Sequence, residues 1–105
     1  LEPFHQWWLG CLTDGRIVGC EFIAAWPAQI TKEQLRNAFE RGTKGRNIRN
    51  RGPDGRAIGK LLKKCLPSVD AKQKDKDKAN VYRLPDLEQS RAEWSTFIGH
   101  AVDWE

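Results

Sequence analysis

The sequence predicts a mainly α-helical domain with a small antiparallel β-sheet. Apolar residues recur at three-to-four-residue spacing in four segments, as they do on the buried faces of helices. Between the third and fourth of these, two short extended segments flank a charged turn, which is typical of a β-hairpin. The order of helix, helix and two-stranded wing predicts a winged helix-turn-helix. At 105 residues, we expect residues 1–105 to form a single domain.

The first predicted helix runs from Pro3 to Leu12, since proline suits a first turn. Its apolar residues recur at helical spacing: Phe4, Trp7, Trp8, Cys11 and Leu12. Adjacent helical residues point in different directions, so Trp7 and Trp8 cannot both lie on the same face of this helix. If one of them is exposed, it would suit a partner surface or dimer contact. The apolar segment from Ile17 to Trp26 is compatible with either a helix or a strand.

The second helix has the clearest predicted start. Thr31 and Gln34 form a capping box, in which each side chain satisfies the backbone amide of the other residue. Leu35, Ala38 and Phe39 form its apolar stripe, and Gly42 ends it. Ile30 or its neighbours are expected to add a third short strand to the sheet.

Proline positions predict the third and fourth helices, and two short extended segments predict the wing strands. A third helix is predicted from Pro53 to about Leu66, after a Gly/Arg/Asn-rich loop. The wing strands are predicted at 68–72 and 80–84. A last helix begins at Pro85-Asp86, with acids in the first turn where the helix dipole favours them. Its predicted apolar face consists of Leu87, Trp94, Ile98 and Ala101.

Charge is strongly separated along the chain. Between Arg41 and Lys78 lie 13 of the 18 Lys/Arg but only 4 of the 14 Asp/Glu, a local charge of +9 within an overall charge of +4. A polyanion is the expected partner of such a surface, because each cation that meets a phosphate releases a condensed counterion. This pattern favours nucleic-acid binding.

The third helix is predicted to have two opposite faces. The apolar face carries Ile58, Leu61, Leu62, Cys65 and Leu66, and the basic face carries Arg56, Lys60, Lys63 and Lys64. A helix fits the DNA major groove, where long basic side chains reach phosphates and guanine edges. The alternative is an ordinary solvated amphipathic helix.

Two further groups of cations surround this helix. Lys72, Lys74, Lys76 and Lys78 alternate along the wing, so period-2 geometry would put them on one side of a strand. They are predicted to contact phosphates, or else to form a solvated hairpin tip. Arg46, Arg49 and Arg51 lie in the preceding loop, which either approaches phosphates or is a disordered connector.

Several other classes of function are not indicated. The three cysteines have no C-x-x-C spacing and are expected to be reduced thiols in a cytoplasmic protein. The two histidines have no neighbouring Cys or acid cluster, and no catalytic motif is recognisable. We therefore expect no catalytic residue, metal, cofactor or small-molecule substrate, and no membrane partner. The absence of Met suggests a fragment of a longer protein.

A set of short motifs resembles a known family. These are Trp26-Pro27, the capping-box run from Ile30 to Leu35, the run Ile58-Gly59-Lys60-Leu61-Leu62, and the segment from Tyr82 to Arg91 followed by Trp94. The chain is similar in these motifs to the C-terminal winged-helix domain of phage and plasmid primase-helicases, the poxvirus-type replication proteins with a superfamily 3 helicase motor. It departs from that pattern at Gly42, Gly45 and Gly52, which interrupt the second helix.

The resemblance implies an accessory DNA-binding module of a replication protein from a mobile element. Origin recognition is one role that it suggests, with ATPase and primase centres in other domains and homo-oligomerisation through the parent protein. Two alternatives stay open. One is a protein–protein interaction module, and the other is the DNA-binding domain of a transcription regulator.

Overall fold

The elements follow the predicted order in the computed structural model, which describes residues 2–43 and 55–104. They are α1 (Pro3–Asp14), β1 (Gln29–Thr31), α2 (Lys32–Thr43), α3 (Gly55–Cys65), β2 (Asp70–Lys74), β3 (Asn80–Arg83) and α4 (Leu87–Ile98). Within these residues the strands form one antiparallel sheet in the order β1-β3-β2. The predicted fold class, mainly α with a small antiparallel sheet in a winged-helix arrangement, is confirmed.

Helix α1 lies at the centre of the helical layer, packed against α2, α3 and α4. Neither of its adjacent tryptophans is exposed, as a partner surface there would require, since Trp7 is 3% exposed and Trp8 is fully buried. Trp7 packs against Phe39 of α2, while Trp8 packs edge-on against Trp26, 5.4 Å between ring centroids. The two rings point in different directions, and each direction is covered by a different part of the chain.

The ambiguous segment from Ile17 to Trp26 is neither helix nor strand but a series of turns. Ile17 and Cys20 are buried in the core, whereas Phe22 is 90% exposed. Gly19 has φ +94°, and a Cβ atom there would overlap the carbonyl oxygen of Ala38. The segment is apolar because it packs irregularly against α2, so its residues follow no helical or strand period.

The capping box of α2 is confirmed. The Gln34 amide donates to Thr31 Oγ1 at 2.9 Å, and the Thr31 amide donates to Gln34 Oε1 at 3.1 Å. The third strand predicted near Ile30 is also confirmed as β1, in which Ile30 pairs with Tyr82 of β3. Helix α2 therefore starts directly from the edge of the sheet.

The wing strands cover 70–74 and 80–83, where 68–72 and 80–84 were predicted, and they pair less regularly than a simple alternation implies. Strand β2 ends at Lys74, so Lys76 and Lys78 lie in the turn, and Lys78 has φ 62°. A register shift between Asp70 and Gln73 also interrupts the pairing with β3. The prediction that all four wing lysines share one side of a strand is wrong, because the strand period ends where the turn begins.

The predicted apolar residues of helices α3 and α4 are buried or partly buried with one exception. Ile58, Leu62, Cys65 and Leu66 are buried, and Leu61 is partly buried. In α4, Trp94 is buried, but Ala101 lies beyond the helix end at Gly99 and is exposed. Placing Ala101 on that apolar face was wrong, since the left-handed Gly99 ends the helical period.

Candidate nucleic-acid interface

A basic groove lies between α3 and the sheet. It has a volume of about 1350 Å³ and is bounded by α3, the start of α2, β2 and β3. The lysines that line it are Lys32, Lys60, Lys63, Lys64 and Lys72. The fold therefore brings together three of the four predicted α3 cations and one of the wing lysines, and it adds Lys32.

Lys60 and Lys64 are exposed on α3, on the side opposite its buried residues. In the described part of the chain the ion pairs are Arg16–Asp14 and Arg36–Glu40, and neither involves a groove lysine. No described side chain accepts a hydrogen bond from Lys60 or Lys64. Their charges are thus available to an anion from outside the molecule.

Lys63 is held differently from its neighbours. Its ammonium group donates to the Pro67 carbonyl oxygen at 2.6 Å and to the Val69 carbonyl oxygen at 3.3 Å. Cations near a helix C-terminus commonly satisfy free carbonyl groups in this way. Lys63 therefore joins the end of α3 to the start of β2, and its charge faces the groove from a fixed position.

Asp70 is the acidic residue among those that line the groove. Its Oδ1 accepts from the Lys72 amide and its Oδ2 accepts from Gln73 Nε2, each at 3.0 Å. The Lys72 and Gln73 hydrogen bonds, in that order, lower the pKa of the Asp70 carboxyl group, with a smaller effect of nearby cations. The carboxylate is used to shape the start of β2, and it forms no ion pair with a groove lysine.

Sequence reasoning missed Lys32 and Tyr82. The Lys32 ammonium lies 5.2 Å from the centroid of the Tyr82 ring, within cation–π distance. A Cβ atom on Gly59 would lie 3.2 Å from the Tyr82 hydroxyl, so glycine lets α3 approach the sheet here. The pairing of Ile30 with Tyr82 brings the start of α2 beside the groove. A strand near Ile30 was predicted, but the sequence does not indicate which strand it pairs with.

The other predicted wing lysines lie outside the groove. Lys74 is exposed near the end of β2, and Lys76 and Lys78 are exposed in the turn. Asp75 Oδ1 accepts from the amides of Asp77 and Ala79, each at 2.9 Å, and so shapes this turn. The wing thus presents its cations around its tip and not along a single face.

The remaining predicted cations have no described side-chain position. Arg46, Arg49 and Arg51 lie outside the described residues. The backbone of Arg56 belongs to α3, but its side chain is outside the described part as well. The loop assignments stay predictions.

The described residues contain no group of three or more His, Cys, Asp or Glu arranged to hold a metal ion. His5 is buried, and its Nε2 lies 2.8 Å from the Leu61 carbonyl oxygen. None of the helices in the described part is long and apolar enough to span a membrane.

Comparison with known proteins does not assign the chain to a family. No protein-family model, curated protein or solved structure matches the chain.

Proposed function

We propose that this chain is a DNA-binding domain that uses α3 and the wing. The observation that carries the proposal is the exposed basic surface of α3 and β2, on which Lys60, Lys64 and Lys72 form no ion pair with a described acid. In this mode, α3 enters or flanks the major groove of a duplex. The wing lysines Lys74, Lys76 and Lys78 hold the backbone of the same duplex.

The wider role rests on the resemblance in motifs. On that basis we propose an accessory domain of a primase-helicase replication protein of a phage or plasmid, acting in the cytoplasm, with origin recognition as a role to test. Oligomerisation belongs to the parent protein in this proposal. A transcription regulator would use the same DNA chemistry, and an ATPase domain in the same polypeptide would distinguish the two.

The test is charge reversal of Lys60→Glu together with Lys64→Glu. Both side chains are exposed and form no described hydrogen bond, so the variant is expected to stay folded by circular dichroism. Binding to a random-sequence duplex, measured by fluorescence anisotropy, should be lost. Arg36→Glu with Glu40→Arg is the control, because it inverts an exposed α2 ion pair without changing the net charge. Unchanged affinity in the lysine variant would contradict the proposal.

A protein-interaction module is the second candidate, and Phe22 is the observation that favours it. Its side chain is 90% exposed, and the neighbouring Glu21, Ala24 and Ala25 are exposed as well. Exposed aromatic residues often anchor protein interfaces. A partner bound without salt dependence and lost on Phe22→Ala would support this function over DNA binding.

A further inference from the structure

We propose that the basic groove binds unpaired nucleotides of a DNA strand, with phosphates on its lysines and bases against its floor. The inference rests on the proposed function, because the same lysines would contact phosphate in both. It goes further by assigning the space between α3 and the sheet to a single strand. The duplex-binding surface is the outer side of α3 and the wing.

The groove differs from a simple phosphate-binding surface in its apolar floor. Val69 and Tyr82 line it and are 4% and 2% exposed, and the partly buried Ala71 lies beside them. The lysines Lys60, Lys64 and Lys72 are exposed around this floor. Apolar groups below and cations around them match a ligand with a flat apolar part and a charged backbone.

A single strand has this arrangement, and a duplex does not. In a duplex the bases face each other and the phosphates face outward, so the floor would meet charged groups that it cannot solvate. An unpaired strand can turn its bases toward an apolar surface while its phosphates follow a line of cations. Charge and polarity therefore favour the single strand inside the groove.

The size of the groove indicates a short stretch of strand. Its volume of about 1350 Å³ exceeds the roughly 300–1,000 Å³ of typical small-molecule sites. Four elements bound it: α3, β2, β3 and the start of α2, which contributes Lys32. More than one nucleotide can enter this space.

Tyr82 supplies a polar group within the floor. Its hydroxyl faces Gly59 and forms no hydrogen bond with another described side chain, while Lys32 lies over its ring. Burial raises the pKa of the Tyr82 hydroxyl, and this neutral hydroxyl is the group that we propose donates to a base at the groove floor. This group gives the groove a contact that polyphosphate alone would not use.

The test compares three fluorescent probes bound by the complete 105-residue chain at low salt. These are an oligothymidylate of about ten nucleotides, an abasic strand of the same length and charge, and a blunt random-sequence duplex. We expect the oligothymidylate to bind about tenfold more tightly than the abasic strand, since only the former has bases to place on the floor.

Variants then localise the bound strand. Ala71→Trp fills the groove and should weaken oligothymidylate binding at least about tenfold, with duplex affinity changed less than about twofold. Ala24→Trp is the matched control, because it adds the same side chain at an exposed loop position. If Ala71→Trp fails to fold, Tyr82→Phe is the second variant. It removes only the hydroxyl and should weaken oligothymidylate binding about threefold.

The outcomes separate this inference from the proposed function. Equal binding of the oligothymidylate and abasic strands, or unchanged oligothymidylate binding by Ala71→Trp, would overturn the groove assignment while duplex binding persists. Failure of all three probes to bind at low salt would overturn the proposed function itself. Tighter binding of the strand with bases, lost on filling the groove, supports the groove assignment, and duplex binding that persists in Ala71→Trp supports the proposed function.

Discussion

Lys63 and Lys64 are adjacent lysines of α3 with different surroundings. The Lys63 ammonium donates to the carbonyl oxygens of Pro67 and Val69, whereas the Lys64 side chain makes no hydrogen bond with a described residue. Helical periodicity puts both on the basic face. It cannot separate them, because the carbonyl groups that hold Lys63 become available only where the chain leaves the helix at Pro67.

The pair gives a matched prediction. Lys63→Met should lower the free energy of unfolding by about 1 kcal/mol, because two charge-assisted hydrogen bonds at an exposed site are lost. Lys64→Met should leave stability unchanged and weaken duplex binding about three- to fivefold through one lost phosphate contact. Urea denaturation and anisotropy titration measure the two effects. The reverse pattern would contradict these assignments.

Arg91 is a second residue whose contacts define its role. Its Nε and Nη2 atoms donate to the Leu12 carbonyl oxygen at 2.9 and 2.7 Å, and its guanidinium lies 5.2 Å from the Trp104 ring centroid. Arg91 therefore satisfies the C-terminal end of α1 from α4. Arg91 ends the motif segment from Tyr82 to Arg91, and its hydrogen bonds to the Leu12 carbonyl oxygen give it a structural role there.

We predict that Arg91→Ala lowers the free energy of unfolding by about 2 kcal/mol, since the Leu12 carbonyl loses two charged donors. Arg36→Ala is the control, because Arg36 forms only an exposed ion pair with Glu40 and should cost less than about 1 kcal/mol. Chemical denaturation of both variants measures the difference. Equal costs would show that the Arg91 contacts do not stabilise the fold.

At the scale of elements, the wing depends on an acid within its basic tip. Asp75 Oδ1 accepts the amides of Asp77 and Ala79, and the Asp75 amide donates to the Ala79 carbonyl oxygen at 3.0 Å. The acid lowers the positive charge of the wing, yet it also folds the turn that carries Lys76 and Lys78. Its charge and its hydrogen bonds have opposite expected effects on DNA binding.

Two substitutions separate these effects. Asp75→Asn keeps a side-chain oxygen acceptor and removes the negative charge, so duplex affinity at low salt should rise about two- to fivefold. Asp75→Ala removes the charge and both acceptor contacts, and we expect a loss of stability of about 1–2 kcal/mol. Anisotropy and thermal unfolding report the two results. Weaker binding by Asp75→Asn would contradict phosphate contact by the wing.

The sequence predicted those elements whose signals are local. The capping box at Thr31 and the stripe of α3 depend on residues a few positions apart, and both appear in the structure. The segment from Ile17 to Trp26 could not be predicted, because its packing against α2 imposes no period. Likewise, the burial of both Trp7 and Trp8 depends on distant parts of the chain that cover them.

The candidate site was predictable in the same limited sense. Lys60, Lys64 and Lys72 follow from charge and periodicity, and the structure places them around one groove. Lys32 and Tyr82 belong to that groove only because β1 pairs with β3 and brings α2 to it. Such contacts between distant residues leave no pattern in a single sequence.

At the scale of the whole molecule, the core includes all three cysteines as buried thiols. Burial raises the pKa of Cys11 and of Cys65 from 9.0 to about 12. A thiol with a raised folded-state pKa contributes stability below the unfolded pKa near 9.0 and loses that contribution as pH rises toward about 12. The thiolate, which is the reactive form, is therefore suppressed in the folded protein.

We predict that Cys11 and Cys65 resist iodoacetamide at pH about 8 in the folded protein and react once it is unfolded in urea. The free energy of unfolding should decrease above pH about 9, and the decrease should be smaller in a Cys11→Ala, Cys65→Ala variant. Mass spectrometry measures the modification. Rapid labelling of either residue without denaturant would contradict their burial.

The central claim is that the molecule binds DNA through its separated positive charge. The most direct measurement is the salt dependence of affinity of the complete chain for a random-sequence duplex. If roughly 5–7 phosphates are neutralised, the log-log slope should be about −5 to −6, and the Lys60→Glu, Lys64→Glu variant should lose that binding. Absence of binding at low salt, or a slope near zero, would contradict the claim and direct attention to a protein partner at Phe22.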